Sequence, residues 1–503
     1  MQSTTKLRQS RDGWREKAKN RNQSIRTLRR RLARRDERVL KLEAEIQALE
    51  TKFADMKNGR PASSPPVVSL TDAYLVRALC VLIVIIGVVS FRSVPRILTV
   101  LSNTAGLDIP WIPHFSSVIN WTLRVGLARL NAVASIAEPW IAIVDASIDV
   151  SVKKALVVLR VKLSALADKE QAIELSDCEC IGIKVSTTWN GELVSDALSE
   201  IFAVAGKPDG ILKDGGTDLS RGVVLYRERN DAKDIVVIDD VGHVTANVLK
   251  ASFSKLKAFK NFLASIKSGG AKLRQSDLAF LTPPKVRTKG RFQSIMKVAE
   301  WGAKILELIG GSGRQAEGSL AERLRGFLPG FGKHRPFIEE FARTSKVITE
   351  FLKITKNRGI NQKSFCECQS LLATLPERSK VRKKLMKWLT KHLRIQCRLG
   401  IGQMPLIVSS DIIETLMGKF KVILQRNDKA EFNRIVLGFP CLCGQTNEAE
   451  VLKALQDVTH RDLEGWEKSF VTDSQAKRRR KILPPKPRRS GPKSVRPPTL
   501  KAG

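Results

Sequence analysis

Acid is what this chain is short of. Its 503 residues carry 50 Asp and Glu against 87 Lys and Arg, a formal net charge of +37. A surface so one-sided repels itself, and it points away from an ordinary near-neutral enzyme toward a polyanionic partner, nucleic acid or an anionic membrane. Long apolar runs are missing too. The most apolar stretch is residues 78–91, fourteen residues between Arg77 and Arg92, whereas a spanning helix needs about 20. It reads as a buried core helix, so no membrane partner is expected. The polar first turn, followed by dense Arg and Lys, lacks the pattern of a secretory signal, and a cytoplasmic location is expected. Tyrosine is nearly absent. Tyr74 and Tyr226 are the two in the sequence, and no His-x-His pair accompanies either, so a covalent phosphotyrosine mechanism lacks its parts. Eight cysteines are too few for a disulfide framework in a chain of this length. Six of them form Cys-x-Cys pairs, Cys178/Cys180, Cys366/Cys368 and Cys441/Cys443. That spacing is shorter than the usual zinc-ligand interval, and small buried hydrophobes are the simpler reading.

What is present falls into segments. Residues 1–57 read as a basic helix in which Leu28, Leu32, Val39, Leu42, Ile46, Leu49 and Phe53 recur at three- and four-residue steps. Such a seam predicts a coiled coil and hence a homo-oligomer. Pro and Ser in 58–71 mark a linker. Residues 72–131 form a helical bundle whose last helix, from about Phe115 to Leu130, carries Ser116, Ser117, Asn120, Arg124 and Arg129 on one side. A helix-turn-helix reading the DNA major groove fits this pattern as well as a plain three-helix bundle does. From 139 to 267 apolar strand-like runs alternate with helices, which predicts a mixed sheet covered by helices, with one long helix over 243–267. Residues 268–405 are mainly helical and basic, 406–470 hold the last helices, and 471–503 read as a disordered basic tail.

The candidate chemistry lies on carboxylates. Asp145 ends the apolar run 140–144, and Asp214 ends Gly210-Ile-Leu-Lys213 ahead of Gly215-Gly216. A carboxylate at a strand end is costly unless it is solvated, hydrogen-bonded or on a metal. Two strands of one sheet can bring both to one edge. Taken singly, each Asp reads more readily as a turn-former or cap than as a ligand, so the case rests on a third acid. Glu414 sits in the helix 410–422, which Ser410 can cap and whose Ile412, Ile413, Leu416, Met417 and Phe420 make a buried face. Glu414, Gly418 and Lys421 share a second face.

These segments together resemble a known family. Residues 140–148 with 154–159, then Ile211-Leu-Lys-Asp214-Gly-Gly, then Ser409-Ser-Asp-Ile-Ile-Glu414-Thr-Leu-Met-Gly-Lys-Phe-Lys421 look like bacterial insertion-sequence transposases of the DDE class. Asp240-Val-Gly-His243, and Arg291-Phe292 with Trp301-Gly302, extend the likeness, which runs to about Trp466. The resemblance implies an α/β, ribonuclease-H-like core interrupted by a helical insertion before the Glu. It implies Asp145, Asp214 and Glu414 as catalytic residues and ligands of two Mg²⁺ ions, for which Mn²⁺ can substitute. Asp145 would bridge the ions, and Asp214 and Glu414 would take one each. Lys419 and Lys421 would meet DNA, Lys421 at phosphate, and His243 would contact substrate or serve as a structural histidine; on the helix-turn-helix reading, Asn120, Arg124 and Arg129 would face the major groove. The partners implied are element-end and target DNA in a bacterial cytoplasm. Two alternatives stand beside this one, a nuclease of the same fold that cuts without joining, and a DNA-binding relative without catalysis.

Overall fold

The computed structural model describes residues 73–150, 153–166, 172–286, 291–310, 317–424, 432–470 and 475–483. The coiled-coil seam, the linker and the tail beyond Leu483 lie outside the described residues. Residues 69–503 form one compact unit. It opens with three helices, α1 (Ala73–Gly87), α2 (Ser93–Ala105) and α3 (Phe115–Asn131). Ser90 starts α2 by accepting from the Ser93 N–H at 3.2 Å, and Gly106 ends it at φ +65°, a left-handed stop that glycine takes without strain. Val76, Cys80, Val81 and Val84 of α1 are fully buried, as a core helix requires. No described helix is long and apolar enough to cross a membrane.

Five strands follow among the described residues: β1 (Trp140–Val150), β2 (Lys153–Lys162), β3 (Cys178–Ser186), β4 (Gly210–Lys213) and β5 (Val236–Asp239). They make one mixed sheet in the order β3-β2-β1-β4-β5. The first three are antiparallel neighbours, and β4 and β5 run parallel to β1. The parallel strands need crossovers, supplied by α4 (Gly191–Ala205) and α5 (Thr217–Arg229). The two-residue period sorts the side chains cleanly. Trp140, Ala142, Val144, Leu156, Val158 and Ile211 pack beneath α4 and α5. Ile141, Ile143, Val157, Leu159, Leu212, Val236 and Ile238 point to the opposite face and join the larger core.

Helices cover that larger core: α6 (Val241–Phe253), α7 (Lys257–Arg274), α8 (Arg291–Ile309), α9 (Leu320–Phe327), α10 (Arg335–Arg358), α11 (Gln362–Ala373), α12 (Lys380–Arg398) and α13 (Asp411–Ile423). Four more close the chain: α14 (Gly438–Cys441), α15 (Glu448–Asp457), α16 (His460–Phe470) and α17 (Gln475–Ile482). The single helix expected over 243–267 is two. Leu256 is extended between them, and the break lets Phe253 and Phe259 both reach the ring of Phe341, at 5.0 and 5.8 Å. The first part of the expected disordered tail is helical in α17.

The bundle helix that was to read DNA is turned inward. Val118, Trp121, Leu123, Val125 and Leu127 of α3 are buried, and Leu123 and Leu127 pack on Leu437, Val458 and Leu463 from the end of the chain. The side chains named for DNA go the same way. The Arg124 guanidinium donates to the carbonyls of Leu455 and Val458. Arg129 donates to both carboxylate oxygens of Glu450, at 2.7 and 2.9 Å, and to the carbonyls of Pro440, Cys441, Cys443 and Gln445. Asn120 accepts from Arg434. These groups close helix-end carbonyls inside the fold, so contact with DNA is not carried forward for Asn120, Arg124 or Arg129.

Candidate active site

Strand register decides where the acids fall. Val144 of β1 is paired with Lys213 of β4, and Lys213 with Asp239 of β5. One residue further along each strand stand Asp145, Asp214 and Asp240, aligned at the same sheet edge. Neighbouring strands lie about 4.8 Å apart, so the three carboxylates form a row. By the two-residue alternation they continue Ile143, Leu212 and Ile238, and therefore rise on the face covered by α6 and α13. All three are buried, Asp145 at 8%, Asp214 at 9% and Asp240 at 2% exposure. Anions so placed require compensation.

His243 supplies part of it. It lies one turn into α6, whose cap is Asp240, accepting from the His243 N–H at 2.7 Å. The imidazole folds back over the row, with Nδ1 3.0 Å from Asp240 Oδ1 and Nε2 3.4 Å from Asp214 Oδ2. Gly215 makes this approach possible, since a Cβ there would stand 3.2 Å from the His243 Cβ. The hydrogen bond that the ring donates to Asp240 raises the imidazole pKa to about 9 against the opposing effect of burial, and the charges of Asp214, Asp240 and Asp145 add to it. The surrounding carboxylates thus favour the protonated ring. Asp214 also accepts from the Gly216 N–H.

Asp240 does a second job. Its other oxygen accepts from the Ser410 N–H at 2.8 Å and the Ser410 hydroxyl at 3.1 Å, while the Val241 N–H donates to the Val408 carbonyl at 2.8 Å. Burial opposes ionisation of Asp240, but the hydrogen bonds from His243 and Ser410 outweigh it and hold its pKa below the usual range. The start of α13 is thereby fastened to the end of β5 across 170 residues of sequence. Ser410 was expected to cap α13 with its side chain. Instead its hydroxyl faces Asp240, and the Ser409 hydroxyl accepts from the Asp411 N–H at 3.3 Å.

Glu414 is carried one turn into α13. As a residue it is exposed, yet partial burial of its carboxyl raises its pKa, with Asp411 and Asp145 adding repulsion and Lys356 and His243 opposing it. Glu414 thus feels the charges of Asp145 and His243 and shares with His243 and Asp240 the lining of one cavity. Lys356 pairs with Asp411 at the rim, at 2.5 Å. A cavity of about 940 Å³ opens beside this cluster, lined among others by His243, Lys356, Asp411 and Glu414. Lys421 is exposed two turns beyond Glu414 and Lys419 is partly buried on its flank. No ion pair among the described residues ties either to the acids.

Asp145, Asp214 and Glu414 are hard oxygen donors of the kind Mg²⁺ prefers. Among the described residues, however, no three Asp, Glu, His or Cys side chains converge closely enough to hold one ion. The acids are gathered by the sheet edge, by His243 and by the clamp from Asp240 to Ser410. They form an electrostatic cluster, and the donor chemistry, not a closed coordination shell, is what fits a divalent cation.

Buried Cys178 and Cys180 of β3 face buried Cys441 and Cys443 of the turn around α14, and burial pushes the Cys441 thiol up to about 12, so it is protonated. Asp240 was quoted in sequence only as part of a family-like stretch. An Asp directly after an apolar strand and three residues before a His was the available signal for a cap.

No protein-family model matches the chain, and no curated protein matches it in sequence. Among solved structures, the Drosophila P element transposase strand transfer complex is similar at 11% identity and a TM-score of 0.38, over 82% of this chain and 99% of that one. A likeness that distant bears no weight for fold or function.

Proposed function

We propose that the chain is a DNA transposase with a ribonuclease-H-like core, cutting and joining phosphodiesters at Asp145, Asp214 and Glu414. The observation that supports this reading is that Asp145 and Asp214 each follow the last paired residues of adjacent parallel strands, while Glu414 lies on a helix fastened to the end of the next strand. Phosphodiester chemistry needs an activated water or 3′-hydroxyl and relief of charge on the leaving oxygen, which two divalent ions supply when bound. Asp145, Asp214 and Glu414 are the residues to hold them. The chain's own contribution is to fix the carboxylates, through the sheet edge and Asp240, and to set His243 beside Asp214 and Asp240. The net charge of +37 supports a polyanionic substrate.

Joining separates this reading from a nuclease that only cuts. Purified full-length protein, Mg²⁺, a duplex taken from the DNA flanking its gene with a free 3′-hydroxyl, and a supercoiled target plasmid should give covalently joined product. Nicked plasmid with no joined strand would favour the nuclease, and bound but uncut DNA would favour a DNA-binding relative without catalysis.

A further inference from the structure

We infer that α12 is a docking track for duplex DNA phosphates, leading to or from the carboxylate edge. This rests on the DNA reading above and assigns its surface. Lys380, Lys384, Lys387, Lys391, Arg394 and Arg398 recur at alternating four- and three-residue steps, so they lie along one side of the helix. All six are exposed. The opposite side is buried through Val381, Leu385, Trp388, Leu389, His392 and Ile395, which fixes the rotation of the helix and forces the cations outward. No acidic residue occurs anywhere in α12, and none lines the shallow groove along Lys384, Lys387, Lys391, Arg394 and Arg398.

Like charges one turn apart weaken a helix, and a cation in the first turn, where Lys380 lies, opposes the helix dipole. Most such rows are offset by neighbouring carboxylates. Here, among the described residues, a carboxylate meets Lys391 alone. Lys391 meets Asp239 at 2.6 Å and Arg398 donates to the Asp234 carbonyl, whereas Lys380, Lys384, Lys387 and Arg394 form no ion pair among the described residues.

Geometry selects the partner. The row spans 18 residue steps, about 27 Å of helix, and a DNA strand presents one phosphate per about 3.4 Å of axis. A straight, one-sided row of that length matches a duplex backbone. It lacks the exposed apolar face by which a helix would enter a lipid surface. The row also reaches the strand ends that carry the candidate site, on the sheet face opposite Asp214. Asp239, held by Lys391, binds Lys213 at 3.1 Å, and Lys213 precedes Asp214.

The test is anisotropy of full-length protein on a fluorescent duplex across about 0.05 to 0.2 M salt, comparing wild type with K380Q/K384Q/K387Q/R394Q. A control, K257Q/K260Q/K267Q/K272Q on α7, removes the same charge elsewhere, and thermal melts check that each variant is folded. The α12 variant should bind at least tenfold more weakly, with a slope of log K against log salt reduced by about 3 to 4, and the control should lose much less. An unchanged slope in the α12 variant overturns the inference while leaving the cleavage reading untouched. Equal loss in both variants assigns the effect to net charge and overturns it too. So does selective loss of binding to phosphatidylserine vesicles with DNA affinity intact. Wild type that binds no DNA overturns both this inference and the proposed function.

Discussion

Two helices rich in cations behave in opposite ways. On α3 the arginines turn inward, close backbone carbonyls and hold the last helices of the chain, while on α12 the cations stand in a row facing solvent. Both are amphipathic by sequence. The difference lies in what covers each one. α3 is packed on its second side by the segment 434–466, some 300 residues later, whereas α12 is covered on one side only. Charge in a sequence therefore locates a DNA-binding surface only once the covering elements are known.

The sharpest way to test that contrast is at Gly126. A Cβ there would fall 1.7 Å from the Leu437 carbonyl oxygen, because α3 meets the chain end backbone to backbone. Gly126→Ala should destabilise by on the order of 4 kcal/mol or more, read as a drop in the urea midpoint. A neutral result would show that α3 is not packed as described. Arg129→Ala should follow at about 2–3 kcal/mol, mainly because it leaves the buried carbonyls of Pro440, Cys441 and Cys443 without their donor, Glu450 being a third exposed and able to meet water.

The buried side of α12 gives a pH signature. His392 accepts the Asp239 N–H at Nε2, and its Nδ1 lies 2.8 Å from the Trp388 carbonyl. Burial lowers its pKa from the ordinary 6.5 to about 4, so the folded protein keeps the ring neutral while the unfolded chain takes a proton. Stability attributable to this group is complete above pH 6.5 and declines as pH falls toward 4, by up to about 3 kcal/mol. His392→Gln should flatten that part of the stability profile, and a profile of unchanged steepness would refute the assignment. The smallest effect belongs to the exposed side, where Lys387→Ala should change stability by no more than about 0.5 kcal/mol, measured by the same melts.

Much of the sheet was legible in the sequence, because apolar runs ending in Asp145 and Asp214 imply strands that deliver carboxylates to an edge. The first strand differs most, since the apolar run 140–144 continues as β1 to Val150 and Asp145 lies within the strand. The link between β5 and α13 was not legible. Asp240 and Ser410 are 170 residues apart, and no local pattern announces that one clamps the other. The fate of Arg124 and Arg129 was hidden for the same reason, since periodicity gives a face and not its neighbour. The row on α12 was submerged in a long region read simply as helical and basic.

The central claim is that Asp145, Asp214 and Glu414 act as one catalytic centre on DNA. It is tested most directly by Mg²⁺-dependent cleavage of the DNA flanking the gene, comparing wild type with Asp145→Ala, Asp214→Ala and Glu414→Ala, each checked for folding and DNA affinity. The account predicts that wild type nicks at discrete positions and that each variant binds DNA but fails to cut. Cutting that survives all three substitutions would contradict it.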